Sequence, residues 1–503
     1  MNSLSRIVRL GVVAFLVATG TLHPQAQAKT LRAAISGFPN LGFNPLTLGN
    51  APALYTFAAM FDALTLVDPG GVAKPQLAES WRAVDQKTWH FKLRPGVFFS
   101  NGEALTAESV AFVIKLMKSP LGQTYSTSAE VSSIRDARAV DQLTVEITTT
   151  EPNPFLPQEL SLIRILSPAQ WTKVGADGFN QAPVGSGPFV LEKAAPGRLI
   201  LTAAATSWRK PIVDRLELLA VPEPAARLQA LLSGNADISI QLGPDEIAAV
   251  ESAGHHMIIQ PDGAMIVLAF VTTKDSPLKD VRVRRALNYA VNKDDIVNGI
   301  LSGHARVASQ TASSIAFGYD PQLKPYPYNP AEARRLLTDA GYPDGFSIVA
   351  ETFSGNASYA PLVYQRVSAD LAKVGVKVEI HPVPIAKYGR GLFQGEWEGT
   401  AFGVDYNAAP SFDALRAFHR HSCLWRAPWY CDPSIMPLLN EALATFDLDK
   451  RRALTQQVLA HQRDQAPGIL LHDNVRFDGV SRAVKNFSVT SGYIPYDAID
   501  IAK

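Results

Sequence analysis

The residues of this sequence that are best suited to bind a metal or to form a covalent link lie close together. His419, His421, Cys423 and Cys431 have the side-chain types that zinc prefers, but their spacing matches no standard zinc pattern. The alternative is a disulfide between Cys423 and Cys431, the two cysteines of the chain. Pro428 lies between them and favours a turn that brings their β-carbons within reach. We therefore expect the disulfide, with metal ligation as the open alternative.

Motifs of known catalytic chemistry are missing from the sequence. It contains no Walker-type phosphate loop, complete dinucleotide fingerprint, H-E-x-x-H pair or G-x-S-x-G nucleophile elbow. The neighbours His255 and His256 would point to opposite faces of a strand and so make poor joint ligands. His472 and Asp473 fit ordinary surface or capping chemistry. We expect neither an enzyme nor a cofactor, and an exported hydrolase is the remote alternative.

The first 28 residues carry the pattern of a cleaved secretory signal. Arg6 and Arg9 precede an apolar run of about a dozen residues, which is followed by Pro24 and by an A-Q-A sequence that ends at Ala28. The alternative, a membrane anchor, needs about 20 apolar residues. We therefore expect export to the periplasm and a mature chain that starts at Lys29. Because no cysteine lies near the cleavage site, we expect no lipid anchor.

Length, hydrophobicity and charge bound the class of protein. The chain has 503 residues, of which 47% are hydrophobic, and this suits roughly two to four packed domains. It carries 47 basic and 46 acidic side chains, and loss of the signal removes Arg6 and Arg9. Near-neutrality excludes the broad basic surface that nucleic-acid binding needs. The partner is therefore expected to be small and locally recognised.

Strands and helices alternate along the rest of the chain, which predicts a mixed α/β fold. Alternating runs predict strands, and amphipathic runs with capping residues predict helices. In the helix that starts at Val281, Arg282, Arg284 and Arg285 are predicted to lie opposite the apolar side chains. The predicted strands lie at residues 30–36, 89–93, 143–147, 215–221, 236–240, 346–350 and 376–380, and the other predicted helices at 53–64, 106–117, 223–232, 330–340 and 359–374.

Several short motifs, taken together, carry a family resemblance. Residues 75–81 read PQLAESW, residues 89–102 read WHFKLRPGVFFSNG and residues 184–189 read VGSGPF. Residues 281–291 read VRVRRALNYAV. These stretches resemble the P-x-L-A-x-S-W segment and the sequence that follows it, the G-T-G-P-Y/F turn and the V-R-x-A-L-x-x-A-I/V helix of one family. That family is the bacterial extracellular solute-binding proteins of the peptide/nickel group, which feed ABC importers, and the matches follow its order from about residue 30 to about residue 480.

The same resemblance implies where a ligand binds. Residues 402–412 (FGVDYNAAPSF) are similar to the D-Y-x-x-P-x-x-F segment of peptide-binding relatives, whose Asp binds the free α-amino group of the peptide. Asp405 takes that role, and its alternative role is to cap a helix that begins near Ser411. Phe402, Gly403 and Val404 are expected to offer main-chain groups to an extended peptide. The remaining expected contacts are Tyr406 and Trp425 and, from the facing lobe, Phe38, Asn40 and Leu41.

The sequence departs from the peptide-binding pattern at specific positions. Asn44 stands where relatives often carry Asp, the stretch at 396–401 is shorter, and no Trp occurs at 402–404. The expected ligand is therefore a short peptide, such as a dipeptide, or a modified amino-acid conjugate. The alternative ligands on the same scaffold are a nickel chelate, a haem or an opine-type sugar conjugate.

The resemblance implies the periplasmic-binding-protein type of α/β fold, with two ligand-enclosing α/β lobes joined by a hinge and an extra third lobe. The ligand is expected between lobes I and III, and the closed protein, a monomer, is expected to dock on the transmembrane permease of an ABC transporter. Lobe I is expected to comprise residues 29–66, 186–270 and 478–503, lobe II residues 67–185, and lobe III residues 271–477.

Overall fold

The computed structural model describes residues 28–39, 42–47, 51–353 and 359–502. Residues 1–27 of the predicted signal, as well as Asn40 and Leu41, lie outside these ranges. Strands and helices are interleaved along the chain, so the predicted mixed α/β class is confirmed. Within these ranges, no helix combines the length and the apolar character that a membrane crossing requires.

The elements are numbered here in chain order. The strands are β1 Thr30–Ile35, β2 Thr65–Val67, β3 Ala73–Pro75, β4 Ala78–Ala83, β5 Thr88–Leu93, β6 Ile134–Ala139, β7 Thr144–Thr149, β8 Phe189–Ala195, β9 Arg198–Ala203, β10 Arg215–Ala220, β11 Ile238–Leu242, β12 His256–Phe270, β13 Phe346–Phe353, β14 Val376–Val383, β15 Ala401–Asn407, β16 Gly468–Val480, β17 Val484–Lys485 and β18 Asp500–Ile501. The helices are α1 Ala51–Met60, α2 Ala107–Lys118, α3 Leu156–Glu159, α4 Pro168–Gln181, α5 Pro224–Leu232, α6 Ile247–Ser252, α7 Val281–Ala290, α8 Lys293–Ile300, α9 Pro330–Asp339, α10 Ala360–Ala372, α11 Ile385–Gln394, α12 Ala414–Phe418, α13 Met436–Ala444 and α14 Leu448–Gln465.

Ten strands form one mixed sheet, in the order β14-β13-β15-β12-β16-β11-β1-β10-β9-β8. At one end, β1 pairs in parallel with both β10 and β11, and α5 connects those two strands. At the other end, β13 and β14 pair in parallel with α10 as their connection. Both units bury apolar strand faces under helices, as parallel sheets require.

The long strands β12 and β16 join the two halves of this sheet. The first part of β12, residues 256–261, pairs with the end of β16, which also pairs with β11. The last part, residues 264–270, pairs with β15. The β12–β16 ladder shifts register between Pro261 and Met265, so Asp262 and Gly263 lie at the junction of the halves. The chain therefore crosses between the halves along two adjacent strands.

A separate four-stranded antiparallel sheet, β4-β5-β7-β6, is built from residues 78–149. The helix α2 begins directly after Thr106, the predicted cap, and the N–H of Thr106 donates to the Ser109 hydroxyl at 3.2 Å. Its buried face includes Val110, Val113 and Ile114. Strands β5 and β7 also lie within one residue or two of their predicted ends.

The glycines of residues 185–187 are required by close packing against the end of α1. A β-carbon on Gly185 would lie 2.1 Å from the carbonyl oxygen of Met60, and one on Gly187 would lie 2.4 Å from the carbonyl carbon. The Gly187 N–H donates to that same oxygen at 3.0 Å. The VGSGPF motif therefore fastens β8 to α1.

The predicted exposure of Arg284 is wrong. Its side chain is buried, and it donates to the carbonyl oxygens of Gln465 and Leu278 at 2.9 and 3.1 Å. Arg282 remains on the surface and is bonded to Asp280 at 2.6 Å. A buried guanidinium on this helix satisfies carbonyl groups at the ends of other elements, which the helical period alone does not indicate.

Candidate ligand-binding site

The candidate site lies along one side of β15. This strand pairs over its whole length with β12, where Ile266 lies opposite Asp405. On its other side, β15 pairs with β13 only at its first two residues. From Gly403 onward, that side has no strand partner in the part of the chain that the structure describes. Such an edge leaves main-chain groups open to an extended ligand.

Hydrogen bonds at both ends of β15 fix which residues face this open side. The N–H of Ala408 donates to the Gly263 carbonyl, and the N–H of Val271 donates to the Thr400 carbonyl. In an antiparallel ladder alternate residues bond to the partner strand. The main chains of the even-numbered residues therefore face β12, and those of the odd-numbered residues face the open side. Of the three residues expected to offer main-chain groups, Phe402 and Val404 face β12, and Gly403 faces outward together with Asp405.

Two tyrosines from neighbouring helices cover Gly403. Tyr388 of α11 donates its hydroxyl to the Gly403 carbonyl oxygen at 2.7 Å. Tyr364 of α10 comes so close that a β-carbon on Gly403 would lie 2.5 Å from its hydroxyl oxygen. Burial raises the pKa of both phenols, so they act as neutral groups. A residue larger than glycine has no room at this position.

Asp405 carries a carboxylate without a side-chain partner. Among the described residues, no side chain donates a hydrogen bond to it or forms an ion pair with it, and its own N–H is its donor. Burial raises the pKa of Asp405, while that N–H and the charges of Arg420 and Arg416 lower it in part. The residue is only half-buried, so a ligand can reach it. A shielded carboxylate in this state is suited to bind a cation.

The alternative role of Asp405 as a helix cap is wrong. The helix that follows β15 is α12, and its N-terminal cap is Asp413, whose carboxylate accepts the N–H of Leu415 at 3.1 Å. Asp413 also forms a buried ion pair with Arg451 at 2.5 Å. Asp405 therefore does not cap this helix.

A second carboxyl group, that of Asp262 on β12, lies near Asp405. It accepts a hydrogen bond from the side-chain amide of Asn474 at 2.6 Å, and the Tyr359 hydroxyl donates to Asn474 at 2.6 Å. Burial raises the pKa of Asp262 to about 6; the charge of Arg476 opposes this rise and that of Asp405 adds to it. The site therefore contains two acidic groups that disfavour each other's charge.

The side chains of Phe402, Val404 and Tyr406 belong to the core. Phe402 stacks on Trp397, with ring centroids 3.9 Å apart and planes at 15°. The ring of Tyr406 lies 3.6 Å from that of His421, and all three side chains are buried. Alternation along the strand explains this, because inward residues hold β15 in place while Asp405 turns outward.

The predicted disulfide between Cys423 and Cys431 is confirmed, with their α-carbons 4.5 Å apart. It closes a loop that contains Trp425. Trp425 is half-buried and donates its indole N–H to the Leu392 carbonyl at 2.7 Å. A loop this short contributes roughly 2–3 kcal/mol through restriction of the unfolded chain. The disulfide thus fixes the segment next to β15.

Metal ligation by the same cluster finds no support. The two cysteines are joined to each other, and the ring of His421 is buried between Tyr406 and Trp429. Burial and the charge of Arg420 lower the pKa of His421 well below its usual value. Over the described ranges, no group of three or more His, Cys, Asp or Glu side chains is arranged to hold a metal ion.

Of the residues expected on the N-terminal side of the site, Phe38 lies within the described part of the chain. Phe38 follows β1 and packs, half-buried, against the core. Asn40 and Leu41 lie outside the described residues. Asn44, where relatives often have Asp, accepts the N–H of Leu46 at 3.0 Å and so supports a local turn, a role that either residue can fill.

No sequence pattern indicated that several other residues lie around Asp405. They come from β12, α10 and the residue before it, α11, β16 and the segment after α12, and only the sheet brings them together. Their types are common, and none stands in a motif. These residues are Asp262, Tyr359, Tyr364, Tyr388, Arg420 and Asn474.

Comparisons with known proteins agree with this architecture. The family model described as "Bacterial extracellular solute-binding proteins, family 5 Middle" matches residues 72–420. The dipeptide-binding protein of Escherichia coli K12 is 28% identical over 518 residues, which cover 93% of this chain and 94% of that protein. The nickel-binding periplasmic protein of the same strain is 28% identical and covers 82% of this chain and 85% of its own length.

Two solved structures share the fold. The dipeptide-binding protein of Pseudoalteromonas sp. SM9913, in complex with Met-Leu, has a TM-score of 0.81 at 20% identity, over 94% of this chain and 100% of that one. The periplasmic binding protein AgaA of A. tumefaciens R10, in complex with agropinic acid, has a TM-score of 0.80 at 23% identity, over 94% of this chain and 99% of that one.

Proposed function

Because the chain belongs to the bacterial extracellular solute-binding proteins of family 5, we propose that it captures short peptides by their free α-amino group and delivers them to an ABC importer. The family comprises solute-binding proteins, in keeping with the missing catalytic motifs. The dipeptide-binding relative from E. coli matches 93% of this chain, which supports peptides as the ligand class.

The unpartnered carboxylate of Asp405 carries this proposal. A peptide's ammonium group supplies the positive charge and the N–H donors that Asp405 does not receive from other side chains. Charge-assisted bonds of this kind are about twice as strong as neutral ones. Asp262 adds negative charge to the same region, which favours a cation further.

The main chain on the open side of β15 is available to form hydrogen bonds with the peptide. Gly403 and Asp405 face this side, while Phe402 and Val404 bond to β12. The carbonyl oxygen of Gly403 already accepts the Tyr388 hydroxyl and keeps a second lone pair. A short extended ligand is therefore proposed to form main-chain hydrogen bonds with β15 at Asp405 and to contact the side chain of Trp425.

Closure of two lobes over the ligand is the proposed mechanism of signalling to the permease. The adjacent strands β12 and β16 connect the halves of the large sheet, and a pair of strands of this kind can act as a hinge. Residues 38–41, with Phe38, Asn40 and Leu41, would approach from the facing lobe. The proposed lobes are I (29–66, 186–270 and 478–503), II (67–185) and III (271–477).

The protein is proposed to be exported and to act as a monomer. Residues 1–28 are proposed to be a signal that is cleaved, which leaves a free periplasmic protein. The proposed functional form is a monomer, because the two halves of a single chain enclose the ligand.

An opine-type conjugate is the second candidate ligand. The observation that favours it is Arg420, a cation near the Asp405 carboxylate, because such conjugates carry carboxylates beside an amine. The buried ring of His421 and the disulfide argue against the nickel version of this alternative. Haem has no specific observation in its favour.

A ligand panel with matched blocked peptides tests the proposal. We expect dipeptides such as Met-Leu to raise the melting temperature of the purified protein, since a ligand at about 100 times its Kd adds roughly 2.7 kcal/mol. N-acetyl-Met-Leu, which lacks the ammonium, should give no shift at the same concentration. Equal shifts with the free and the acetylated peptide would rule out recognition of the amino group.

Peptide affinity should also depend on pH. Burial raises the pKa of Asp262 to about 6, so this carboxyl group of the empty site takes up a proton as the pH falls through that value, and the raised pKa of Asp405 favours its protonation as well. A bound ammonium favours both carboxylates, so binding must release those protons and affinity should fall between about pH 7 and pH 5. Calorimetric titrations in two buffers of different ionisation enthalpy measure the release. A constant affinity and no buffer dependence across this range would contradict the role of the two carboxyls.

A further inference from the structure

The guanidinium of Arg420 is a cation at the site that the protein itself leaves unused. Arg420 follows α12, and among the described residues its side chain makes no hydrogen bond and no ion pair. Arg416, one helical turn earlier, differs in this respect. It bonds to both carboxylate oxygens of Glu130 at 2.8 Å and to the Asn407 carbonyl at 3.2 Å.

Arg420 is nevertheless held close to the binding edge. Its guanidinium carbon lies 5.7 Å from the ring centroid of Trp425, and that ring is fixed by its bond to Leu392 and by the disulfide loop. The ring of His421, the residue after Arg420, lies 3.6 Å from the ring of Tyr406, the residue after Asp405, so the two charged residues belong to segments in direct contact. Each acts on the pKa of the other, although they form no ion pair. Arg420 remains exposed, so a ligand can reach it.

A cation and an anion that share one site without pairing match a ligand that carries both opposite charges. We propose that Arg420 binds a carboxylate that lies a few bonds from the ammonium held by Asp405, so that the protein prefers ligands with both groups close together. This inference rests on the proposed function. The carboxylate can belong to the side chain of an N-terminal Asp or Glu, or to an amino-acid conjugate with a carboxylate beside its amine.

Titration calorimetry with matched ligands and variants tests the inference. The ligands are Glu-Leu, its near-isostere Gln-Leu and N-(1-carboxyethyl)leucine. The test variant is Arg420→Gln. The control is Arg426→Gln, because Arg426 also lies over Trp425, at 6.0 Å, but is not among the cations that lower the pKa of Asp405. Both variants remove one exposed positive charge.

The expected result is a loss of affinity that follows the carboxylate. Wild-type protein should bind Glu-Leu at least about tenfold more tightly than Gln-Leu, and Arg420→Gln should remove that preference while Arg426→Gln retains it. Tight binding of the carboxyethyl conjugate, lost in Arg420→Gln, would assign the second source of the carboxylate. Equal affinity of wild-type protein for Glu-Leu and Gln-Leu, together with weak binding of the conjugate, would overturn the inference and leave the proposed function intact. Binding of none of the three ligands would overturn both.

Discussion

Replacing Asp405 by Asn is expected to weaken peptide binding by at least about 100-fold. Truncating one member of a shielded charge pair costs roughly 2–5 kcal/mol, and 100-fold corresponds to about 2.7 kcal/mol. The amide keeps the shape of the side chain but loses its charge, and its N–H₂ group would meet the N–H donors of the ligand. Affinity for Met-Leu, measured by calorimetry on wild-type and variant protein, checks this expectation.

The empty variant should be as stable as the wild type, or more so. The pKa of Asp405 is raised in the folded protein, so its carboxylate is less favourable there than in the unfolded chain. A raised carboxyl pKa means that stability falls as the pH rises from the unfolded value through the folded one. Removing the charge therefore removes a cost. A variant that binds poorly because it is unfolded would show a lowered melting temperature instead.

Asp237→Asn is the matched control for this experiment. Asp237 precedes β11, and burial raises its pKa as it does for Asp405, but it accepts the N–H of Arg32 at 2.7 Å and takes no part in the site. Its variant should bind Met-Leu with the affinity of the wild type. Undiminished affinity in Asp405→Asn would refute the amino-group role directly.

The sequence predicted a role for Asp405 because the residue stands in a motif, but it could not predict the neighbours that define its surroundings. Asp262 lies 143 positions earlier in the chain, on β12, and reaches β15 only through the pairing of strands that are distant in sequence. In the sequence, Tyr364 and Tyr388 look like ordinary residues of amphipathic helices, and only the folded sheet brings Gly403 into contact with them. Long-range register, which no local pattern encodes, supplies this part of the site.

Local chemistry predicted the elements better than the faces they bury. Thr106 was predicted as the cap of α2 and lies directly before it, and strand alternation predicted β5 and β7. Arg284 was placed wrongly, because a buried arginine depends on carbonyl groups that come from Leu278 and Gln465. The same limit applies to β15, where alternation determines which residues face outward but the partner strand decides which side is open.

The buried carboxylate of Asp62 is expected to make a large contribution to the stability of the fold. It lies just after α1 and is fully buried. It accepts hydrogen bonds from Gln76 at 3.1 Å, from Ser186 at 2.9 Å, from Trp208 at 2.9 Å and from Arg209 at 2.6 and 3.1 Å. Burial would lower the pKa of Arg209, but the charge of Asp62 raises it above its usual value. The Asp62 carboxylate therefore connects the segment after α1 to the segments that follow β3, precede β8 and follow β9.

Asp62→Ala should lower the free energy of unfolding by roughly 3–5 kcal/mol, because it leaves the guanidinium of Arg209 buried with less compensation. Urea denaturation followed by fluorescence measures the change. Arg335→Ala is the control, since Arg335 pairs with Glu332 and Asp339 on the surface and should cost at most about 1 kcal/mol. The double variant Asp62→Ala/Arg209→Ala should lose less stability than the sum of the two single variants, because it removes both buried charges together. Additive losses in this cycle would mean that the two residues stabilise the fold independently and that the charge pair is not the source of the effect.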